Sequence, residues 1–278
     1  MNHFEVKIPG KWVLAGEHAV LRGSSALALP HPNFALNLKY ENNGQPLQIA
    51  PIEAGPITRD LIQGLGADAT GILGRLEIQS TIPVGSGLGS SAALCVSLIR
   101  FFLHYTKQER SEDWIRAKAT EMENKFHGKS SGMDIAAVCS QEPIRFVRNR
   151  APEKLGITQL PRFTFHDTGF RVRTVDCINQ VEKMINERPE VAHRVDAQMA
   201  LAADLATEGL LQFNQGQKSR GLSQIAQAMD MAHGCYEEWG LLPADANRIR
   251  AELFHQGARA VKLTGAGGGG FLVALWGE

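Results

Sequence analysis

A glycine- and serine-rich segment and a pair of carboxylates are the residues of this chain whose types and spacing could do chemistry. Pro83 to Ala93 reads PVGSGLGSSAA. Gly85, Gly87 and Gly89 permit tight turns and leave backbone amides unobstructed by side chains, so those amides can face phosphate oxygens. A helix starting after Gly89 would add its free N-terminal amides and the positive end of its dipole. Ser90 and Ser91 bring hydroxyls to the same point, and one of them could join Mg²⁺ as the Ser/Thr of a Walker A loop does. The Walker lysine is missing, so this is a different phosphate loop. A close-packed Gly/Ser turn would use the same residues.

Glu123 to Asp134 reads ENKFHGKSSGMD, with the carboxylates 11 residues apart across a glycine-broken stretch. The chain can fold back there and present both to one cleft. Mg²⁺ prefers oxygen ligands and keeps waters, so one carboxylate, a serine hydroxyl and nucleotide phosphates make a reasonable shell. The other carboxylate is then available as a base, taking the proton of an acceptor hydroxyl while a lysine and the metal neutralise phosphate charge. Taken singly, Glu123 also fits an exposed helix position and Asp134 a helix cap. Lys262 to Phe271, KLTGAGGGGF, has five glycines between 265 and 270. So many glycines cost entropy on ordering, which points to backbone approaching a ligand or another loop. In PGKWVLAGEHAV, Lys11, Glu17 and His18 are expected at strand ends, although each alone also suits an ordinary structural or surface role.

The elements that must hold these residues follow from periodicity. His3 to Ala15 alternates around Phe4, Val6 and Ile8 and is predicted as two short strands turning at Pro9-Gly10. Ala26 to Tyr40 and Leu76 to Thr81 read as extended. After Gly89, Leu94, Leu98, Phe101, Phe102 and Tyr105 share a helical face. Ser111 followed by Glu112 and Asp113 starts another helix, carried on by Ile115, Ala119, Met122 and Phe126 and broken from His127 to Gly132. Pro143 to Pro161 is polar and proline-rich and marks a domain boundary. Beyond it come a strand at Phe163 to Phe165, helices near 175–186, 193–215, 219–239 and 246–255, and paired strands at 260–263 and 271–276. The fold class is α+β.

Composition narrows the partners. The 278 residues are 44% hydrophobic and 21% charged, enough for one large core or two modest ones. Basic and acidic residues balance at 29 each, which gives no field to hold nucleic acid or an anionic membrane. A small-molecule substrate suits this balance. The four cysteines are widely scattered, as reduced buried thiols would be, with no metal knuckle. The N-terminal MNHFEVKIPGKW lacks the apolar run of a secretory signal, and the charge-free 78–99 stretch is interrupted by Pro83 and three glycines. A cytoplasmic enzyme is the simplest reading.

Together and in this order, PGKWVLAGEHAV, GLGSSAA, HGKSSGMD and KLTGAGGGG resemble the galactokinase, homoserine kinase, mevalonate kinase and phosphomevalonate kinase (GHMP) superfamily, from Lys7 to about Phe271. GEHAVLRG, HGKSSGMD with its preceding glutamate, and KLTGAGGGG look like the mevalonate kinase form. Asp167 to Val181 is similar to a family segment that enters a helix at a threonine, here Thr174. The resemblance implies a two-lobed GHMP kinase fold. Its N-terminal lobe is ribosomal protein S5 domain 2-like with a left-handed β-α-β, and its C-terminal lobe is ferredoxin-like, with the cleft between. The expected domains are 1–155, ATP-binding, and 156–278.

The same resemblance implies ATP and Mg²⁺ as cofactors and phosphorylation of a small-metabolite hydroxyl, mevalonate to 5-phosphomevalonate in isoprenoid precursor synthesis. Asp134 would be the base, with Lys11 close to it and to the γ-phosphate. Pro83, Gly85, Gly87, Leu88, Gly89, Ser90, Ser91 and Ala92, with Gly265, Ala266 and Gly267, would hold the nucleotide. Ser91 or Ser90 and Glu123 would hold the metal, and Glu17, His18, Gly132, Thr174 and Gly268 would line the acceptor pocket. Another acceptor, such as phosphomevalonate or a sugar, and a catalytically inactive nucleotide-binding relative are the alternatives; a homodimer is the assembly considered. Three departures stand out. Ser130 replaces the usual proline of HGxPSG, Trp12 is bulkier than the family residue, and the chain is short, with loops trimmed between Tyr40 and Leu76 and after Ser140.

Overall fold

The structure, a computed structural model, describes residues 3–66, 71–127 and 130–277. Gly128 and Lys129 of the HGKSSGMD motif, within the expected helix break, lie outside the described residues. The chain divides into two compact units that interleave in sequence. The first comprises Met1–Lys11, Pro30–Pro83 and Gly89–Gln141, and the second Trp12–Leu29, Val84–Leu88 and Glu142–Glu278. Among the described residues no helix is long and apolar enough to cross a membrane.

The first strand, β1 (His3–Ala15), alternates in exposure up to Lys7, then is buried at every residue from Gly10 onward. The expected turn at Pro9-Gly10 is not there: one strand runs through both. Gly10 is absent from the left-handed glycines, and the φ of a proline suits an extended chain. Lys11 therefore lies inside a strand, in its buried half, rather than at a strand end.

In the first unit, the later part of β2 (Ser25–Pro46) runs antiparallel to β4 (Leu73–Ser80), pairing Leu36 with Ser80 and Glu41 with Arg75. The short β3 (Gln48–Ala50) is parallel to β4, and α1 (Gly55–Gly64) lies in the connection between them. Parallel neighbours require such a crossover. Against this layer stand α2 (Ser90–Thr106), α3 (Glu112–His127) and α4 (Met133–Ser140), with α2 packed on both others. Nearly all of α2 from Ala92 to Leu103 is buried, more than one apolar face would give. Ser111 caps α3 by accepting from the Trp114 amide at 3.2 Å.

In the second unit, Ser25–Ala28 of β2 pairs antiparallel with β5 (Ile144–Val147), which pairs in turn with β6 (Glu153–Lys154). A separate antiparallel sheet has the order β7 (Phe163–Asp167), β9 (Phe271–Trp276), β8 (Ala258–Thr264). Four helices accompany it: α5 (Thr174–Glu187), α6 (Pro189–Asn214), α7 (Lys218–Glu238) and α8 (Ala246–His255). Trp12 is buried with its ring against the edges of Phe163 and Phe165, at centroid distances of 4.9 and 5.3 Å. Those two aromatics accommodate the extra bulk at position 12.

The long helices α6 and α7 form a hairpin in which Gly209 and Gly221 lie against each other. A Cβ on Gly221 would lie 2.6 Å from the Gly209 carbonyl and 2.7 Å from the Phe213 amide nitrogen. Gly221→Ala should therefore destabilise the protein by about 1–3 kcal/mol through overpacking, although alanine is the better helix former by up to ~1 kcal/mol. Urea unfolding measures this; a stabilised variant would mean that α6 and α7 can part without cost.

Candidate functional site

In the first unit, a lysine, two carboxylates and two serines converge near the start of α2. Gly89 is the N-cap of α2 in the left-handed region (φ 80°), with no side-chain cap. A Cβ there would lie 3.0 Å from Cγ of Lys11, so the lysine stem passes directly beside the helix start. Lys11 is 3% exposed and its Nζ stands 2.8 Å from Oδ1 of Asp134, which is 31% exposed. A buried ammonium needs such a partner. Asp134 occupies the first turn of α4, where the helix dipole favours a negative charge.

Glu123, near the end of α3, is 2% exposed. Its Oε2 accepts from the Ser130 hydroxyl at 2.7 Å, and its Oε1 is 3.5 Å from the Ser91 hydroxyl. Burial first, then the charge of Asp134, raise its carboxyl from the ordinary 4.5 to about 7, against the hydroxyl of Ser130, the charge of Lys11 and the hydroxyl of Ser91, which work the other way. Two carboxylates and one lysine leave the cluster one positive charge short. The Glu123 carboxylate and the Ser91 hydroxyl bring two oxygens together, the donor type that Mg²⁺ prefers alongside waters and phosphate oxygens. Among the described residues no three His, Cys, Asp or Glu side chains form a metal cage of their own.

The second unit holds a different constellation. Its glycine-rich turn, between β8 and β9, is packed against other backbone. A Cβ on Gly265 would sit 3.2 Å from Cα of Gly87, one on Gly269 2.4 Å from the Phe170 carbonyl, and one on Gly270 2.8 Å from the Ser86 carbonyl. The Gly270 amide donates to the Phe170 carbonyl, and the Thr168 amide donates to the Gly270 carbonyl, each at 2.9 Å. Gly85, Gly87, Thr174, Ala266 and Gly267 line one narrow crevice there. Gly268 lies against Val172.

Glu17 and His18 belong to the same constellation. Lys262, 0% exposed, donates to Glu17 Oε1 at 2.6 Å and to the Val13 carbonyl at 3.2 Å. The Tyr236 hydroxyl donates to the Gly265 carbonyl; burial first, then the Glu17 charge, hold its proton on well above the usual tyrosine range. The His18 Nε2 lies 2.7 Å from the Ala266 carbonyl, which fixes that nitrogen as the donor and leaves Nδ1 as an acceptor. The ring packs edge-on to Trp239, and burial lowers its pKa to about 4, so it is neutral.

Thus Lys11, Pro83, Gly89, Ser90, Ser91, Ala92, Glu123, Gly132 and Asp134 lie in one unit, and Glu17, His18, Gly85, Gly87, Leu88, Thr174 and Gly265 to Gly268 in the other. Of the two serines, Ser91 reaches Glu123. Sequence reasoning gave no role to Ser130, Lys262, Tyr236 or Trp239. Lys262 had a signal, a lone charge within the apolar AVKL run of a strand.

Residues 57–142 match the family model described as GHMP kinases N terminal domain. Over 96% of its length the chain is 27% identical to the mevalonate kinase of Pyrococcus horikoshii, covering 87% of that protein. It is 28% identical to that of Archaeoglobus fulgidus, covering 96% of this chain and 90% of the relative. The fold is that of L. major mevalonate kinase, solved in complex with R-mevalonate, with a TM-score of 0.82 at 22% identity over 99% of this chain and 87% of that one.

The buried Glu123 makes stability depend on pH. Its folded pKa of about 7 lies above the ordinary 4.5, so its protonated form adds stability that is full below pH 4.5 and is lost as pH rises through 7. Glu123→Gln, always neutral, should gain on wild type by roughly 2 kcal/mol at pH 8 and by little at pH 5. Thermal unfolding of the ligand-free proteins at both pH values checks this. An identical pH dependence in the two would rule out a raised Glu123.

Proposed function

We propose that this chain, with its GHMP kinase fold and mevalonate kinase-like sequence, is an ATP-dependent kinase that phosphorylates mevalonate to 5-phosphomevalonate, a step of isoprenoid precursor synthesis. The observation that carries the reaction class is the pairing of Lys11 with Asp134 beside the uncapped N-terminus of α2, with Glu123 and Ser91 joined at that same helix. The acceptor follows the named relatives, whose similarity extends over most of the chain.

The roles follow from charge and position. The Asp134 carboxylate takes the proton of the acceptor hydroxyl, whose oxygen then bonds to the γ-phosphorus as the bond to the β-phosphate oxygen breaks. Lys11 orients Asp134 and offsets negative charge on the transferring group. In the first unit the uncapped start of α2 offers free amides to phosphate oxygens, and by the resemblance Gly85 to Gly89 and Gly265 to Gly267 are nucleotide-binding residues. Glu123 and Ser91 would hold Mg²⁺, which supplies charge neutralisation to the phosphates when bound. Neutral His18, its Nε2–H committed to a carbonyl, keeps Nδ1 as an acceptor. Lys11, Glu123 and Asp134 are all present, which speaks against a catalytically inactive relative.

Asp134→Asn should lower kcat by about 10³ or more while ADP affinity stays within a few-fold of wild type. Near-normal turnover would remove Asp134 from the role of base. ADP release with Mg²⁺-ATP, measured across mevalonate, phosphomevalonate, galactose and homoserine, should be fast with mevalonate alone. Activity confined to a sugar would overturn the acceptor, and none with any acceptor despite tight ATP binding would overturn the enzyme.

A further inference from the structure

Ser130 stands where the family pattern has a proline, and its contacts are ones a proline cannot make. Its hydroxyl donates to Glu123 Oε2 at 2.7 Å and accepts from the Gly132 amide at 3.1 Å. Its own amide donates to the Asn124 side chain at 2.8 Å. Proline has neither an N–H nor a hydroxyl. The Gly132 amide fixes the direction of the Ser130 hydroxyl, because the oxygen that accepts from it must aim its proton elsewhere, and Glu123 Oε2 receives that proton. The other oxygen, Oε1, is the one turned to Ser91. One side chain thus links the last turn of α3 to the start of α4, which carries Asp134.

We propose that Ser130 is a positioning residue for divalent-cation binding: by holding Glu123 Oε2, it keeps Oε1 turned toward Ser91 as a cation ligand. This rests on the reading of Glu123 and Ser91 as the residues that hold Mg²⁺. Ser130 touches neither nucleotide nor acceptor in this role. Partners that orient a metal-binding carboxylate contribute to metal affinity without supplying a ligand. The serine is therefore this chain's own means of setting a carboxylate beside a loop that proline would otherwise stiffen.

The test measures Mn²⁺ binding to the full-length protein with ADP, by the electron paramagnetic resonance signal of free Mn²⁺, for wild type, Ser130→Ala, Ser130→Cys, Ser130→Thr and Glu123→Gln. Ser130→Ala should weaken Mn²⁺ binding by about 10-fold, Ser130→Cys, a weak donor of similar size, should follow it, and Ser130→Thr should restore most of the affinity. In turnover, the half-saturating Mg²⁺ concentration should rise by a similar factor while kcat at saturating Mg²⁺ changes less than about threefold. If Ser130→Ala and Ser130→Cys bind Mn²⁺ within twofold of wild type while Glu123→Gln loses it, the Ser130 inference is overturned and the Glu123 assignment stands. If Glu123→Gln binds as wild type does, the metal assignment fails and takes this inference with it.

Discussion

A lysine buried in a strand sets the terms for the first unit. Lys11 lies where β1 is enclosed at every residue, and an ammonium taken from water into such surroundings must be paired or lose its charge. Asp134 supplies the pair, and it is available because Gly132 starts α4 immediately before it. That solution creates the next problem. The charge of Asp134 adds to the burial that already opposes ionisation of Glu123, and the hydroxyls of Ser130 and Ser91 offset this only in part. A proton on Glu123 would balance the cluster, and so would a cation beside it.

The second unit contains another buried lysine with the opposite character. Lys262 is wholly enclosed, its ammonium spread over the Glu17 carboxylate, the Val13 carbonyl and the face of Tyr236. Both charges of the pair are inside, and neither is left wanting a counter-ion. Beside it, Thr264 accepts from the Val13 amide and donates to the Val13 carbonyl. This pair holds the end of β1 to β8. The Lys11 pair differs because Asp134 keeps about a third of its side chain open to solvent. Degree of enclosure, more than residue type, separates the two pairs.

The fold was legible where local chemistry decides structure. Ser111 announced α3, the glycine before Ser90 announced α2, and 246–255 matched α8 to the residue. It was illegible where tertiary pairing overrides a local signal. Pro9-Gly10 reads as a turn but lies in β1, because neighbouring strand and core hold it extended. The helix α1 carries little local signal, since it is short, opens on Gly55-Pro56 and lies in the 40–76 region that reads as trimmed loops. The site shows the same division. Its residue types were visible in the motifs, whereas the contacts that give them partners, Lys11 to Asp134 and Lys262 to Glu17, join positions far apart in the chain.

The glycines serve packing as well as any ligand. In sequence, GSGLG and GAGGGG look like phosphate cradles, and backbone amides in such loops suit that use. The structure gives several of these glycines a second necessity, because a methyl group on Gly269 or Gly270 would collide with the Phe170 or Ser86 carbonyl, and one on Gly265 would crowd Gly87. A protein that bound no phosphate but folded this way would still need glycine at those positions. Glycine content therefore measures how closely two loops pack, and cannot by itself separate a nucleotide site from a tight core. The Lys11, Asp134, Glu123 and Ser91 set rests on side chains and not on glycine. Burying Glu123 beside the half-open Asp134 with one lysine between them is costly for folding, and close packing of loops does not account for it.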